Sequence, residues 1–469
     1  MRPRALVRPR ASSVNEVSEH YLASRFTCSW PFSTAVLLCD GRLVCGCADP
    51  YAKRVLGDVK SATVNSVWTG PTVSQLRQDL NGGGSTFCGD CPLKLPLEEH
   101  EPAPQRSLTV APLPSRMYVE CTAACNVSCL DSCCAPETGI TKTRHAGMLD
   151  VDLFMRVLSE VGPTLERIDF FNYGEAFLHK RAVEMCEIVK REYPHVYLYT
   201  STNGGALNEE SARRLVRSGI DEVTFSVDGA SQDVYATYRQ RGRFDHVLNN
   251  LRAVMDEKRR LGLDVPFVNW RYILFKWNDH DAEMQRARTL AGQIGVDRLC
   301  WEITDHPEHA FSRRFVPGTD DWQRIRHEVW DDNYLGNAIP GATPRARIEV
   351  RGRSRAEALV HRAGAPLALD LRVRNLSQRA FPHTATYGRR LVRVGAQLLD
   401  ADRTLRDLDF VRASLPRTVN AGEWQDLRLE IPPLAPGHYH LKLDLVSEGI
   451  DWFESCGSEV TLRELRVEE

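Results

Sequence analysis

Six short runs with β character recur between residues 117 and 303, and helical stretches separate them. They are 117–121 (MYVEC), 167–172 (RIDFFN), 196–202 (VYLYTST), 222–228 (EVTFSVD), 268–274 (VNWRYIL) and 298–303 (RLCWEI). In one intervening stretch, Phe244, Val247, Leu248, Leu251, Val254 and Met255 recur at three- and four-residue steps. Asp150 stands where an N-cap belongs, ahead of Phe154, Val157, Leu158 and Val161. Strands that alternate with helices pair in parallel, and their crossovers are right-handed. The expected fold is α/β, a partial (β/α)6 barrel whose ligands sit at the C-terminal ends of the strands.

Both flanks break this alternation. Beyond residue 340, Leu367, Leu369, Leu371 and Val373 alternate with other residues, as do Val392, Val394, Ala396 and Leu398, and Tyr439, Leu441, Leu443 and Leu445. Turn signals such as Asn375, Asp400 and Pro436-Gly437 separate them, which predicts a C-terminal antiparallel β-sandwich. Residues 21–100 carry many cysteines and are expected to hold little helix. A length of 469 residues suits about three domains. The division expected is a flexible tail (1–20), a small cysteine-rich domain (21–105), the partial barrel (106–325), a Gly- and Pro-rich linker (326–344) and the sandwich (345–469). A net charge of −2 provides no field for nucleic acid or anionic lipid. No apolar run approaches the ~20 residues of a transmembrane segment, and the start lacks the pattern of an export signal.

Eleven of the fourteen cysteines lie between Cys28 and Cys134. Dense clustering inside a large chain favours metal or iron–sulfur ligation in a reducing compartment, so a cytoplasmic location is expected. The densest run, 120–136 (ECTAACNVSCLDSCCAP), begins where the first β-run ends. Cysteines about four residues apart on a loop can converge on one compact centre, and thiolates are the usual ligands of iron–sulfur clusters. A cluster held by only three cysteines leaves one iron open.

The run Thr122-Ala-Ala-Cys125-Asn126-Val-Ser-Cys129 resembles the first half of the CxxxCxxC signature of radical S-adenosylmethionine (SAM) enzymes. The second half departs from it, because Ser132 occupies the third position. Cys133 and Cys134 both remain open as the third ligand, and Cys133 is the favoured one. Later segments resemble the family's motifs in order, each at an expected strand end. Gly174-Glu175 resembles its GGEP motif, which implies contact with the SAM amino group. Ser201-Thr202-Asn203 resembles its ribose-contacting segment. Ser226 and Asp228, followed by Arg239, resemble its SxDG…R pattern, and Trp270–Leu274 takes the place of its adenine contact. The resemblance covers about residues 115–305 and implies a [4Fe–4S] cluster that binds SAM.

A second constellation holds Cys28, Cys39, Cys45, Cys47, Cys88 and Cys91. With Leu56-Gly57, Val67-Trp68 and Leu76-Arg77 between them, these residues resemble the SPASM auxiliary-cluster domains of the same enzymes. That resemblance implies one auxiliary [4Fe–4S] cluster on Cys28, Cys88, Cys91 and one of Cys45 or Cys47, with Cys47 taken as the fourth ligand. A structural zinc site is the plainer alternative. The family usually carries this domain after the barrel, whereas here it comes first.

The activity implied is reductive cleavage of SAM to a 5′-deoxyadenosyl radical, which takes hydrogen from a substrate, with an electron donor such as flavodoxin or ferredoxin. The C-terminal stretch resembles β-sandwich modules of surface-polysaccharide proteins, which points to a saccharide or glycoconjugate precursor that is oxidised or epimerised, within polysaccharide biosynthesis. The SPASM resemblance points instead to a peptide. A non-enzymatic alternative is an iron–sulfur or zinc scaffold with a glycan-binding module. No individual residue is assigned a catalytic role on the substrate.

Overall fold

The computed structural model describes residues 25–131, 140, 144, 147–330, 334–352, 354, 357–384 and 390–469. These described residues divide between two compact units, one within residues 1–297 and 303–319 and the other within residues 298–302 and 320–469.

In the first unit, eight strands are Thr34–Leu37 (β1), Arg42–Val44 (β2), Val55–Asp58 (β3), Arg116–Val119 (β4), Arg167–Asp169 (β5), Tyr197–Thr202 (β6), Glu222–Ser226 (β7) and Phe267–Leu274 (β8). They form one sheet in the order β8-β7-β6-β5-β4-β1-β2-β3. From β4 to β8 every pairing is parallel and each strand joins the next in sequence, as the β/α alternation requires. The crossovers include helices Val151–Val161 (α1), Ala182–Glu192 (α2), Glu209–Arg217 (α3) and Phe244–Leu261 (α4). Asp150 caps α1 by accepting from the Leu153 amide at 2.8 Å, which satisfies one orphan donor of the first turn. Gly262 closes α4 at φ 64°, a left-handed conformation that suits glycine.

The cysteine-rich segment is part of this sheet. β1 pairs with β4 in parallel, with Val36 opposite Tyr118, and β1-β2-β3 continues as an antiparallel meander. The segment also holds more helix than expected, in Val64–Trp68 and Pro71–Asn81. Val73, Leu76 and Leu80 fall on one face of the longer helix, and Pro71 fits its start because a proline there gives up no intrahelical bond. Trp30, Val36, Leu38, Val44, Leu76 and Leu80 share one apolar core with Cys28, Cys88 and Cys91.

In the second unit, a three-stranded sheet runs Ala346–Val350, Leu367–Asn375 and Trp424–Ile431, antiparallel throughout. A second sheet contains Leu359–Arg362, Thr461–Glu468, Gly437–Ser447, Val392–Asp400 and Leu405–Ser414, in that order. Inward residues of both sheets, among them Leu369, Leu371, Val394, Leu441 and Leu443, belong to one core cluster. One pairing departs from the antiparallel expectation, because Leu359–Arg362 runs parallel to Thr461–Glu468. The run Arg298–Ile303 is a strand as expected, and Arg298–Glu302 groups with this unit, where the Trp330 amide donates to the Trp301 carbonyl at 2.7 Å.

Candidate active site and auxiliary site

The loop after β4 lies against the ends of the following strands. Cys125 and Cys129 belong to it, and Ser128–Cys129 pairs in antiparallel fashion with Arg239–Gln240, setting Cys129 opposite Arg239. The Arg239 Nη1 donates to Cys129 Sγ at 3.4 Å. Its Nε donates to Asp228 Oδ2 at 2.6 Å, and Asp228, wholly buried, also accepts from the Ile273 amide at 2.7 Å. Burial alone would lower the Arg239 pKa, but Asp228 and Cys129 outweigh it and hold the guanidinium firmly charged. Asn203 serves the other cysteine. Its Nδ2 donates to Cys125 Sγ at 3.5 Å and to Asn126 Oδ1 at 2.9 Å. Two predicted SAM-site residues, Asn203 and Arg239, thus each donate to one of the two described loop cysteines.

Gly174 and Glu175 sit beneath this loop. Gly174 has φ 78°, and a Cβ there would stand 2.3 Å from the Thr122 carbonyl oxygen and 2.6 Å from that of Ala124. Only glycine fits, on grounds of both conformation and space. The Glu175 amide donates to the Ala124 carbonyl at 2.8 Å. Its buried carboxylate accepts from Thr202 Oγ1 at 2.7 Å, the Asn203 amide at 2.8 Å and the Phe177 amide at 3.3 Å. Burial raises the Glu175 pKa, and these donors oppose the rise. Ser201 Oγ lies 3.4 Å from Ser226 Oγ, which accepts from Arg271 Nη2 at 3.0 Å. Trp270, expected beside adenine, is wholly buried and donates through Nε1 to the Val227 carbonyl at 2.8 Å. Cys121 is buried at the end of β4, as a packed thiol. Cys133 and Cys134 lie outside the described residues.

Tyr235 was not singled out from the sequence. It is wholly buried, its hydroxyl has no hydrogen-bond partner among the described atoms, and Arg239, Asp228, Cys129 and Glu175 all lie within its electrostatic reach. The signal for it was Gly229, where a Cβ would meet the Tyr235 amide nitrogen at 2.4 Å.

In the auxiliary segment Cys28, Cys45, Cys47, Cys88 and Cys91 are free thiols. The Cys91 amide donates to the Cys88 carbonyl at 2.8 Å, closing the knuckle of the CxxC pair. Burial pushes the Cys28 thiol up to about 12, with Cys91 and Cys88 adding to the rise. The Cys45 thiol is raised far above its ordinary value, first by burial and then by Cys28, Cys88 and Cys91, so it neighbours all three. Cys47 differs. Burial raises it to about 12, and its foremost charged neighbours are Asp169, which adds to the rise, and Arg116, which opposes it, with Cys91 a lesser contributor. Cys39 stands apart, its amide donating to Glu120 Oε1 at 3.3 Å.

Both sites fit iron–sulfur clusters by their donor sets: sulfur ligands with nitrogen donors at the sulfurs in one, four thiols in an apolar core in the other. Among the described residues, no three His, Cys, Asp or Glu side chains close on a single point as the ligands of one metal ion do. The sulfurs around a cluster of several irons stand farther apart than that.

Comparison with known proteins agrees with this geometry. Residues 119–285 match the radical SAM superfamily, and residues 28–92 match SPASM, an iron–sulfur cluster-binding domain. The chain is 26% identical over 170 residues to the GTP 3′,8-cyclase of Petrotoga mobilis, covering 36% of this chain and 49% of that protein. It is 28% identical over 191 residues to the tungsten-containing aldehyde ferredoxin oxidoreductase cofactor-modifying protein of Pyrococcus furiosus, covering 39% and 49%. The chain therefore spans about half the length of the curated relatives it matches. Streptococcus suis SuiB bound to S-adenosylmethionine is similar over 40% of each chain, with 11% identity and a TM-score of 0.33. Residues 119–285 thus match a radical SAM superfamily domain and residues 28–92 a SPASM-type iron–sulfur domain, a pairing that supports an enzyme with a [4Fe–4S] cluster for S-adenosylmethionine and an auxiliary cluster.

Proposed function

We propose that the protein reductively cleaves S-adenosylmethionine and takes a hydrogen atom from a small-molecule substrate. The observation that carries this reading is the convergence of Asn203, just past the end of β6, and Arg239, in the connection between β7 and β8, on the sulfurs of Cys125 and Cys129. The cluster and SAM supply the radical chemistry when bound. The chain's own residues position and shield it. Cys125 and Cys129, with Cys133, hold the cluster. Gly174 lets the loop carbonyls close over the Glu175 segment, and Glu175 locks the strand end that carries Thr202 and Asn203. Ser201, Ser226 and Asp228 line the neighbouring strand ends, where SAM belongs in a parallel sheet.

The auxiliary ligands in this reading are Cys28, Cys45, Cys88 and Cys91. Cys45 replaces Cys47, because Cys45 neighbours the other three thiols while Cys47 sits by Asp169 and Arg116. Strands β4 to β8 of the first unit are read as part of the (β/α)6 barrel, and the two sheets of the second as a β-sandwich. The relatives' names concern a nucleotide cyclisation and a cofactor modification, which favour a small molecule. None of them supports the saccharide or the peptide substrate. The test is anaerobic reconstitution with iron and sulfide, reduction, and addition of SAM. Formation of 5′-deoxyadenosine is expected, and its absence from protein with filled clusters would remove the enzymatic reading.

A further inference from the structure

Two buried cations stand at the auxiliary thiols. Arg54 lies beside Cys45, whose amide donates to the Arg54 carbonyl at 3.0 Å. Its side chain is 8% exposed and reaches across to the CxxC knuckle, where Nε donates to the Cys88 carbonyl at 3.1 Å and Nη2 pairs with Asp90. Asp49 orients it, accepting from the Arg54 amide at 2.7 Å and lying 3.8 Å from Nη1. Asp49 is buried, whereas the Asp90 side chain is 69% exposed and its charge is screened by water. Lys94 reaches the same knuckle at the next carbonyl. It is 5% exposed, its Nζ donates to the Gly89 carbonyl at 2.7 Å, and it stands 4.9 Å from the centre of the Phe26 ring. Arg54 acts electrostatically on Cys45, Cys88 and Cys91, and Lys94 on Cys88 and Cys91.

A cluster bound by four thiolates is an anion, and its negative charge grows by one when it gains an electron. Net charge, hydrogen bonds and solvent exposure set the potential of such clusters. A buried cation a few ångströms away favours the more negative, reduced state, and low local dielectric makes that preference large. We infer that Arg54 and Lys94 raise the reduction potential of the auxiliary cluster and so fit it to accept an electron rather than donate one. The inference rests on a cluster at Cys28, Cys45, Cys88 and Cys91. Both residues act through the cluster and are positioning groups.

The test is a redox titration of the full-length, reconstituted protein followed by electron paramagnetic resonance, with iron and zinc measured on the same samples. Arg54→Gln and Lys94→Gln are each expected to move the auxiliary signal to lower potential and to leave the SAM-binding cluster where it was. Arg54→Lys, which keeps the charge but not the fork, is expected to retain most of the wild-type potential. If Arg54→Gln loses the cluster because the knuckle loosens, Lys94→Gln decides. Unchanged auxiliary potentials in glutamine variants with full iron would overturn the inference while leaving the cluster standing. Iron for only one cluster, with zinc in the second site, would overturn the cluster reading and this inference with it.

Discussion

The two cysteine sites solve opposite problems. In the loop after β4, two described sulfurs sit among polar groups, with Asn203 and Arg239 donating directly to them. In the auxiliary segment the thiols are packed with Trp30, Val36, Leu76 and Leu80, and its buried cations reach the carbonyls of the knuckle. A cluster that must admit a ligand needs its orientation fixed by neighbouring donors, because one corner has no protein ligand. A cluster closed by four cysteines needs only burial and charge balance.

The largest test of that contrast is Cys129→Ser. Loss of 5′-deoxyadenosine formation to background and loss of one cluster's worth of iron are expected, with the auxiliary iron retained. Parallel iron analysis of Cys88→Ser should show the reverse pattern; simultaneous loss of both clusters from either variant would break the separation of the sites. Asp228→Asn comes next. It leaves Arg239, whose side chain is 11% exposed, without its buried carboxylate, and removing one partner of such a pair costs about 3–5 kcal/mol. Denaturant unfolding should show a loss of that order in the first unit.

Gly174→Ala forces a side chain to φ 78° against two carbonyl oxygens. Backbone strain of this kind costs about 1–3 kcal/mol. SAM cleavage is expected to fall by roughly tenfold or more, in line with about 1.4 kcal/mol per tenfold change in rate, while auxiliary iron content stays unchanged.

The smallest expected effect is a pH dependence of the metal-free auxiliary segment. Its Cys28 and Cys88 thiols are raised by burial to about 12 and about 11, against an ordinary 9.0. Above pH 9 the unfolded chain loses these protons before the folded one does. The folded state then binds more protons than the unfolded state, so stability falls as pH rises from about 9 toward 11–12. Thermal melts of metal-free protein should show this decline. Cluster-bound protein should not, because its thiolates are already formed. A metal-free melt that stayed level across that window would mean the thiols are wetter than their packing implies.

Much of the first unit was legible in the sequence because its signals are local. The runs expected at 196–202, 222–228 and 268–274 fold as Tyr197–Thr202, Glu222–Ser226 and Phe267–Leu274. The Asp150 cap and the Phe244–Leu261 helix also follow from pattern alone. The helix Pro71–Asn81 was missed although its signals were present. Gly70-Pro71 opens it, and Val73, Leu76 and Leu80 keep its period, but the flanking cysteines drew the reading toward a loop-rich knuckle.

By itself, then, the sequence determined the strands from β4 to β8 and the helices between them, that these strands run in parallel, and that cysteines gather at the end of the first of them. These follow from side-chain period and capping, which act within a few residues. Only the tertiary structure decided that β1 continues the sheet at β4 and that Asn203 and Arg239 reach the loop sulfurs. Those pairings join residues far apart in the chain. Their geometry is set by how sheet, core and buried charge close together, which no local pattern encodes.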